Sequence, residues 1–322
     1  MSTSPKVSII LPSLNVGAYI RECMESVVNQ TLKEVEIICV DAGSTDGTLE
    51  TLQEYAERDP RIRLLSSGKR SYGYQVNVGL DTAMGEYIGI VETDDYIDRN
   101  MYLKLYETAE KNQKPDVVKA AYYQVDAIEN GGITPHYLTD TASQEVFTVS
   151  DHPELLCGHP SIWSCLYKKS FLERRNIRMM ECPGAAWVDN PFLFRTLCEA
   201  EQIVWLHEPL YYYRRTNPDA SSNLKDCSIP IDRINDVKDY LDEQFKGDFL
   251  LEKCLFLRAL NNFEELRGNP CLTEENKKQM RKTLRRFRPR LIFLTLTARK
   301  YRAVRDKMNS TFQEKLWRKN DR

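Results

Sequence analysis

The first half of the chain alternates between two hydrophobic periods. Residues 7–11 read VSIIL, a short β-branched apolar run suited to a buried strand. Between 17 and 30, Ile20, Cys23, Met24, Val27 and Val28 recur at helical spacing. Residues 35–40 (VEIICV) form a second buried run. It ends in DAGSTDGT, a string of turn and cap residues that leads into a helix over 49–58. The pattern then predicts a strand at 62–65, a helix at 73–83, a strand at 87–91, a helix at 101–112 and a strand at 116–125. Strands alternating with helices imply an α/β fold with a doubly wound, mostly parallel sheet. Such sheets bind ligands beyond the carboxyl ends of their strands. DAGSTDGT and the ETDD of 92–95 both lie at carboxyl ends, so both are expected to face one cleft.

The alternation loosens after about residue 130. WSCLYKKSF (163–171), a helix near 190–200 and a strand pair near 203–206 and 210–215 follow. Beyond 222 the chain reads as helical. The expected division is a catalytic domain over 1–222 and a helical extension over 223–322. Hydrophobic content is 42%, ordinary for a chain of 322 residues with a real core. No apolar run approaches the roughly 20 residues that span a bilayer, and residues 1–6 lack a signal-peptide layout. The nine cysteines are scattered without a C-x-x-C pair, which predicts reduced, mostly buried thiols in a cytoplasmic protein.

The net charge of −2 conceals an asymmetry. Residues 274–322 carry 17 Lys/Arg against 5 Asp/Glu, or +12, and the remainder carries −14. Pro289 divides the basic stretch into two helical segments. The second sets the apolar 291–296 beside Arg299, Lys300, Arg302 and Arg305. A basic helix with an apolar face suits an anionic membrane surface, or else packs on the catalytic domain with its charges solvated. Nucleic acid is not expected, because the tail has no known reading motif.

The sharpest chemistry lies in GEYIGIVETDDYI, 85–97. Crowded carboxylates repel one another unless a cation or a set of donors neutralises them. Carboxylate oxygens suit Mg²⁺ or Mn²⁺ rather than zinc. Glu92 and Asp94, two apart on a strand end, point to one side and can share a ligand. Asp98 fits a helix cap. In AAWVDNPF, Trp187 and Phe192 give Asp189 apolar neighbours that favour a raised pKa, while the following Asn190 and Pro191 also suit a helix start. His207 reads as a structural histidine before a third metal ligand. Arg214 or Arg215, with the loop TNPDASSN (216–223), could reach a phosphate from a lid.

Taken in series, these motifs resemble the family 2 glycosyltransferases. ILPSLN supplies the strand, Pro12 and Asn15; VDAGSTDGT runs to Thr48; NVGLDTAMGEYI, ETDD, WSCLYKKSFL, VDNPF and LYYYR follow in family order over two thirds of the chain. The resemblance implies the GT-A fold, with a mixed sheet and a C-terminal helical extension. It implies an inverting, metal-dependent transfer of a sugar from a nucleotide-diphosphate sugar, UDP-sugar favoured, to a hydroxyl of a glycan or lipid-linked glycan. Such an enzyme belongs to bacterial polysaccharide assembly, in the cytoplasm or peripherally on the inner face of the cell membrane. On this resemblance Asp41 contacts the base or ribose, or else caps its own turn, and Pro12 and Asn15 line the base pocket. Lys69, Gly73 and Asn77 join the donor-binding residues. Asp94 binds Mg²⁺ or Mn²⁺ at the diphosphate, and Glu92 reaches the metal, a metal-bound water or the ribose. Asp95 contacts the sugar or supports the loop, and Asp189 is the base.

Ala42, Val76 and Val188 depart from the family pattern, where Asp, Arg and Glu are usual. They leave a catalytically inactive nucleotide-sugar-binding module as a rival. A nucleotidyltransferase on a related fold would need a G-x-G-T-R-L loop that is absent. A dehydrogenase is disfavoured because no G-x-G-x-x-G follows the first strand.

Overall fold

The computed structural model describes residues 4–130, 132–137, 145–185, 187–218, 220 and 224–291. The strands are β1 (Val7–Ser13), β2 (Val35–Asp41), β3 (Ile62–Ser66), β4 (Tyr87–Ile90), β5 (Tyr96–Ile97), β6 (Val117–Val125), β7 (Ile133–His136), β8 (Val146–Phe147), β9 (Cys165–Lys168) and β10 (Ile203–Arg214). The helices are α1 (Ile20–Val28), α2 (Thr48–Arg58), α3 (Tyr72–Thr82), α4 (Met101–Lys111), α5 (Lys169–Arg174), α6 (Asp189–Glu199), α7 (Ser228–Gln244), α8 (Phe249–Leu266) and α9 (Glu274–Leu284).

Every residue of β1 and β2 is buried. Helices cover both faces of such strands, which is why their sequences are continuous apolar runs rather than alternations. The main path of the sheet is β3-β2-β1-β4-β9-β6-β10-β5. The strands β3, β2, β1 and β4 are mutually parallel, and β6 is parallel to β10. Strand β9 runs antiparallel between β4 and β6, and β5 runs antiparallel on β10. The sheet is therefore mixed, as in the GT-A fold. The carboxyl ends of β1, β2 and β4 lie side by side, and β10 brings its own end to the same rim through β5.

Two expectations are corrected. The strand pair near 203–206 and 210–215 is a single strand, β10, whose pairing with β6 shifts register at Leu206, Pro209 and Tyr211. Pro209 lacks an N–H for the ladder and sits at the irregularity, so the interruption looks like a turn in the sequence. The second correction concerns the cysteines. Cys227, just before α7, and Cys271, before α9, are joined in a disulfide with Cα atoms 5.9 Å apart. Their separation of 44 residues carries no motif, and the helices between them fold back to bring the two together. Disulfides persist in oxidising surroundings, which counts against a uniformly reduced chain. The other seven cysteines are free thiols, and Cys23, Cys39, Cys165 and Cys254 are buried.

The helices after residue 222 are not a loose appendage. Helix α7 packs on α6, α8 and α9, and α8 lies on the turn at Pro153–Leu156. Asp248 caps α8 through the amides of Leu250 and Leu251, and a capping box of Thr273 and Asn276 opens α9. No described helix is long and apolar enough to cross a membrane. The second basic segment, with Arg299, Lys300, Arg302 and Arg305, lies outside the described residues.

Helix α3 must approach β1 closely to place its first turn over the cleft. A Cβ on Gly79 would fall 2.5 Å from Ile10 Cγ2, a fully buried side chain. Gly79→Ala is therefore expected to destabilise the protein by about 1–3 kcal/mol. Urea unfolding would show this as a lower midpoint at unchanged slope.

Candidate active site

The loops after β1 and β2 are stitched together. Asn15, at φ 51°, donates its amide to Ser44 Oγ (3.0 Å) and accepts from the Thr45 amide at Oδ1 (2.9 Å). The amides of Val16 and Gly17 reach Thr48 Oγ1 (2.9 Å) and Asp46 Oδ2 (2.8 Å). Asp41 is 3% exposed, and its own turn engages both of its oxygens. Oδ2 accepts from the amides of Gly43 and Ser44 at 2.8 and 3.0 Å, and Oδ1 accepts from the Ser44 hydroxyl. The Pro12 carbonyl accepts from Thr93 Oγ1 (2.9 Å), tying β1 to the ETDD turn. Pro12, Asn15 and Asp41 thus meet at adjacent strand ends. Lys69 is exposed on the rim, paired with Glu181 at 3.0 Å and lying over the Tyr74 ring. Arg70 donates to the Gly43 carbonyl at 3.3 Å.

Gly73 and Asn77 both meet the segment 179–181. A Cβ on Gly73 would lie 1.9 Å from the Met180 carbonyl oxygen, so glycine lets α3 pack on that segment. The Asn77 side chain donates to the Met179 carbonyl (2.9 Å) and to Glu181 Oε1 (3.2 Å) and accepts from the Met179 amide (2.9 Å). Its amide group is spent on holding 179–181 in place.

The ETDD turn closes through the Asp95 amide on the Glu92 carbonyl. Glu92 Oε1 accepts from the Tyr72 hydroxyl at 2.6 Å. Burial pushes the Glu92 carboxyl up to about 8, against the Tyr72 bond that favours its charge, and Asp94 and Asp189 add repulsion. Asp94 Oδ2 accepts from Asn217 Nδ2 at 2.8 Å, and its carbonyl takes Arg214 Nε at 2.9 Å. Arg214 also bonds Glu22 and lies between the rings of Tyr19 and Tyr96. Of the two roles expected of Asp95, the structure favours support of the loop. It is 1% exposed, and its oxygens hold β10: Oδ1 accepts from the Arg214 amide (2.6 Å) and Oδ2 from the Tyr211 hydroxyl (2.9 Å). Burial holds its carboxyl well above the usual range. It supports the turn.

Asp189 is the first residue of α6 rather than its cap. Its Oδ1 accepts from the Asn190 amide and from Asn190 Nδ2, both at 2.9 Å. Burial raises its carboxyl, and Arg258 then pulls it back down. Trp187, at φ 54°, occupies the left-handed region that bulky residues avoid, at a cost of ~1–3 kcal/mol. That reversal sets the direction from which α6 starts. The charge of Asp189 is felt at Glu92, Tyr72 and Tyr213, which puts the base candidate within electrostatic reach of the ETDD turn. His207 accepts from Trp205 Nε1 and stacks on Tyr137 at 4.3 Å, in contacts that do not involve Asp94. Asp98 Oδ1 takes the Asn100 amide at 2.8 Å and turns the chain into α4 without capping it.

The family model for glycosyl transferase family 2 matches residues 8–175. The chain belongs to that family. The chain is 34% identical over 226 residues to EpsJ, an uncharacterized glycosyltransferase of Bacillus subtilis (strain 168). The match takes in 68% of this chain and spans 64% of the relative's length. Among solved structures, S. aureus TarS 1–349 in complex with UDP-GlcNAc is similar over 89% of this chain and 82% of that one, with a TM-score of 0.72 at 19% identity. The mannosyltransferase PcManGT of Pyrobaculum calidifontis, in complex with GDP-Man and Mn²⁺, is similar over 99% of this chain and 89% of that one, with a TM-score of 0.55 at 16% identity. These neighbours establish the GT-A fold of the glycosyltransferase.

The sequence reading gave no role to Tyr72, Tyr211 or Arg258, took Asn190 only as a helix start and Asn217 only as part of a loop, yet all five hold the candidate site. The signal for Tyr72 was its place in SYGYQVN, and for Tyr211 its place in LYYYR. The Tyr211 hydroxyl accepts from the Glu92 amide (3.0 Å) while donating to Asp95. Tyr211→Phe strands both groups and is expected to destabilise the protein by about 1–3 kcal/mol in urea unfolding. Tyr212→Phe is the control. Tyr212 stacks its ring on Tyr96 and Tyr123, and its hydroxyl loss is expected to shift stability by under about 0.5 kcal/mol.

Proposed function

We propose that this chain transfers a sugar from a nucleotide-diphosphate sugar, UDP-sugar favoured, to a hydroxyl of a glycan or lipid-linked glycan, with inversion at the anomeric carbon. The observation that carries the reading is the ETDD turn after β4, at the carboxyl ends of the parallel strands, tied to β1 through Thr93 and to α3 through Tyr72, with the charge of Asp189 felt at Glu92. UDP-GlcNAc bound to TarS and GDP-Man with Mn²⁺ bound to PcManGT support the donor class. In this reading Pro12, Asn15 and the turn shaped by Asp41 receive the base and ribose. Lys69 and Arg70 lie on the same rim, beside Gly43, and meet phosphate charge.

The donor set fits a hard divalent cation. Among the described residues, Tyr72 takes Glu92 Oε1 and Asn217 takes Asp94 Oδ2, which leaves the second oxygen of each carboxylate open, and no cluster of three ligating side chains forms. Two carboxylates with diphosphate oxygens and water completing the shell is the pattern Mg²⁺ favours. When bound, the cation would supply Lewis-acid stabilisation of charge on the leaving diphosphate.

The step itself is a single displacement. The acceptor oxygen forms a bond to the anomeric carbon as the bond to the diphosphate oxygen breaks, and that electron pair leaves with the nucleoside diphosphate. The acceptor proton passes to Asp189, whose burial makes it a better base than a solvated aspartate. One base facing one leaving group favours inversion. Ala42, Val76 and Val188 are 5%, 0% and 1% exposed. Their side chains fill packed interior, so these departures leave the cleft carboxylates in place, and this favours activity over an inactive binding module. Contact of the basic region 274–322 with an anionic membrane belongs to the same reading, since a lipid-linked acceptor is presented there.

The test is nucleoside-diphosphate release from a panel of UDP- and GDP-sugars with Mn²⁺. Asp94→Ala and Asp189→Asn are each expected to lower release by roughly 10²-fold or more. Mn²⁺-dependent binding without turnover would establish the inactive module instead. A panel in which no nucleotide sugar binds would sink the glycosyl-transfer reading.

A further inference from the structure

Arg258 lies in the middle of α8, outside the region matched by the family model, and is 4% exposed. A buried guanidinium needs a partner for its donors. Nε donates to the Leu156 carbonyl at 2.8 Å, Nη2 to the Gly158 carbonyl and Nη1 to Asn190 Oδ1. We propose that Arg258 is a positioning residue for Asp189, acting through Asn190. The proposal rests on the reading of Asp189 as the base.

The chemistry of the amide makes the connection directional. Arginine has donors and no acceptor, so it can meet only the oxygen of the Asn190 side chain. The Asn190 nitrogen is then left to face Asp189, where it donates to Oδ1 at 2.9 Å. The Asn190 backbone amide donates to the same oxygen. Two donors on Oδ1 fix the carboxylate plane, and no described residue bonds Oδ2. Oδ2 is therefore the oxygen offered to the acceptor hydroxyl. Residue 190 is 3% exposed, so this relay is sheltered from water.

Arg258 also sets the charge balance. Among the described residues, the charges of Asp189 and of Glu92 from the end of β4, Tyr72 from α3, Tyr213 from β10 and Arg258 from α8 act on one another. Of these, only Arg258 is a cation. Burial alone would favour a protonated Asp189, unable to accept a proton, and the guanidinium opposes that. Losing the guanidinium or the Asn190 donor should raise the pKa of Asp189. The acid limb of the pH profile would then move to higher pH.

The decisive variant is Asn190→Asp. It keeps an acceptor for Arg258, and so spares the Leu156–Gly158 clamp, while replacing the donor to Asp189 with a like charge. With the UDP-sugar selected by the donor panel, kcat is expected to fall roughly 10-fold or more. The donor KM should stay within about 2-fold, since uniform donor binding is untouched, and the acid limb should shift upward. Arg258→Met should shift the limb the same way, and Arg258→Lys should restore part of the shift by keeping the charge without the fork. A folded Asn190→Asp with wild-type kcat and limb overturns the inference and leaves the base reading standing. So does an Arg258→Met that lowers only the melting temperature. An active Asp189→Asn, or a panel with no turnover, overturns both.

Discussion

The Tyr211 hydroxyl joins the end of β4 to the end of β10, accepting from the Glu92 amide and donating to Asp95. The rest of the cleft depends on that bond and its neighbours, because ETDD concentrates negative charge where water is scarce. Each carboxylate is answered by a donor from another part of the chain: Tyr72 of α3 for Glu92, Asn217 for Asp94, and Tyr211 with the Arg214 amide for Asp95. The division of labour follows from geometry. Asp95 is consumed by the protein, which frees the turn to present Asp94 and Glu92 with acceptor capacity to spare. Arg214 adds its charge to the outer side of the turn through the Asp94 carbonyl and Glu22.

This explains why β10 must be one long strand. Strand β6 lies beside it along its length; its first half also pairs with β8, and its second half, past Pro209, pairs with β5 and delivers Tyr211 and Arg214 to the carboxylates. A real break at Pro209 would separate the sheet from the donors that make the ETDD turn tolerable. The irregular register is thus the means by which a strand crosses a proline and still reaches the site.

Much of this was legible in the chain. The strands β1, β2 and β4 are apolar runs ending in turn and acidic residues, and their burial on both faces follows from that. The crowding of Glu92, Asp94 and Asp95 called for donors to answer their charge, and the structure supplies them from Tyr72, Asn217, Tyr211 and the Arg214 amide. What stayed hidden was long-range. Whether Asp95 faces ligand or β10 depends on how β10 is threaded, which no local pattern records. Gly73 and Asn77 sit in a motif, yet their purpose is set by residues 179–181, about a hundred positions away in sequence. Cys227 and Cys271 meet only because α7 and α8 fold back between them. Arg258 looked like one more charge on a helix, because burial of a guanidinium is decided by packing and not by spacing.

The two sides of the cleft consequently rest on different supports. The donor side is built from the parallel strands β3-β2-β1-β4 and loops stitched by short local bonds, so it is largely self-contained. The side bearing Asp189 is built from a helix start held in strained backbone at Trp187 and braced from behind by Asn190. Asn190 is in turn oriented by a cation from α8. A lone aspartate at a helix start, buried near two other carboxylates, would drift toward its protonated form. Its environment therefore needs a fixed positive charge close enough to matter and far enough to avoid a direct ion pair that would remove its basicity. A guanidinium one amide away from the carboxylate satisfies both conditions. On the proposed role of Asp189, α8 then serves the chemistry as well as the packing, through its contact with the turn at Pro153–Leu156.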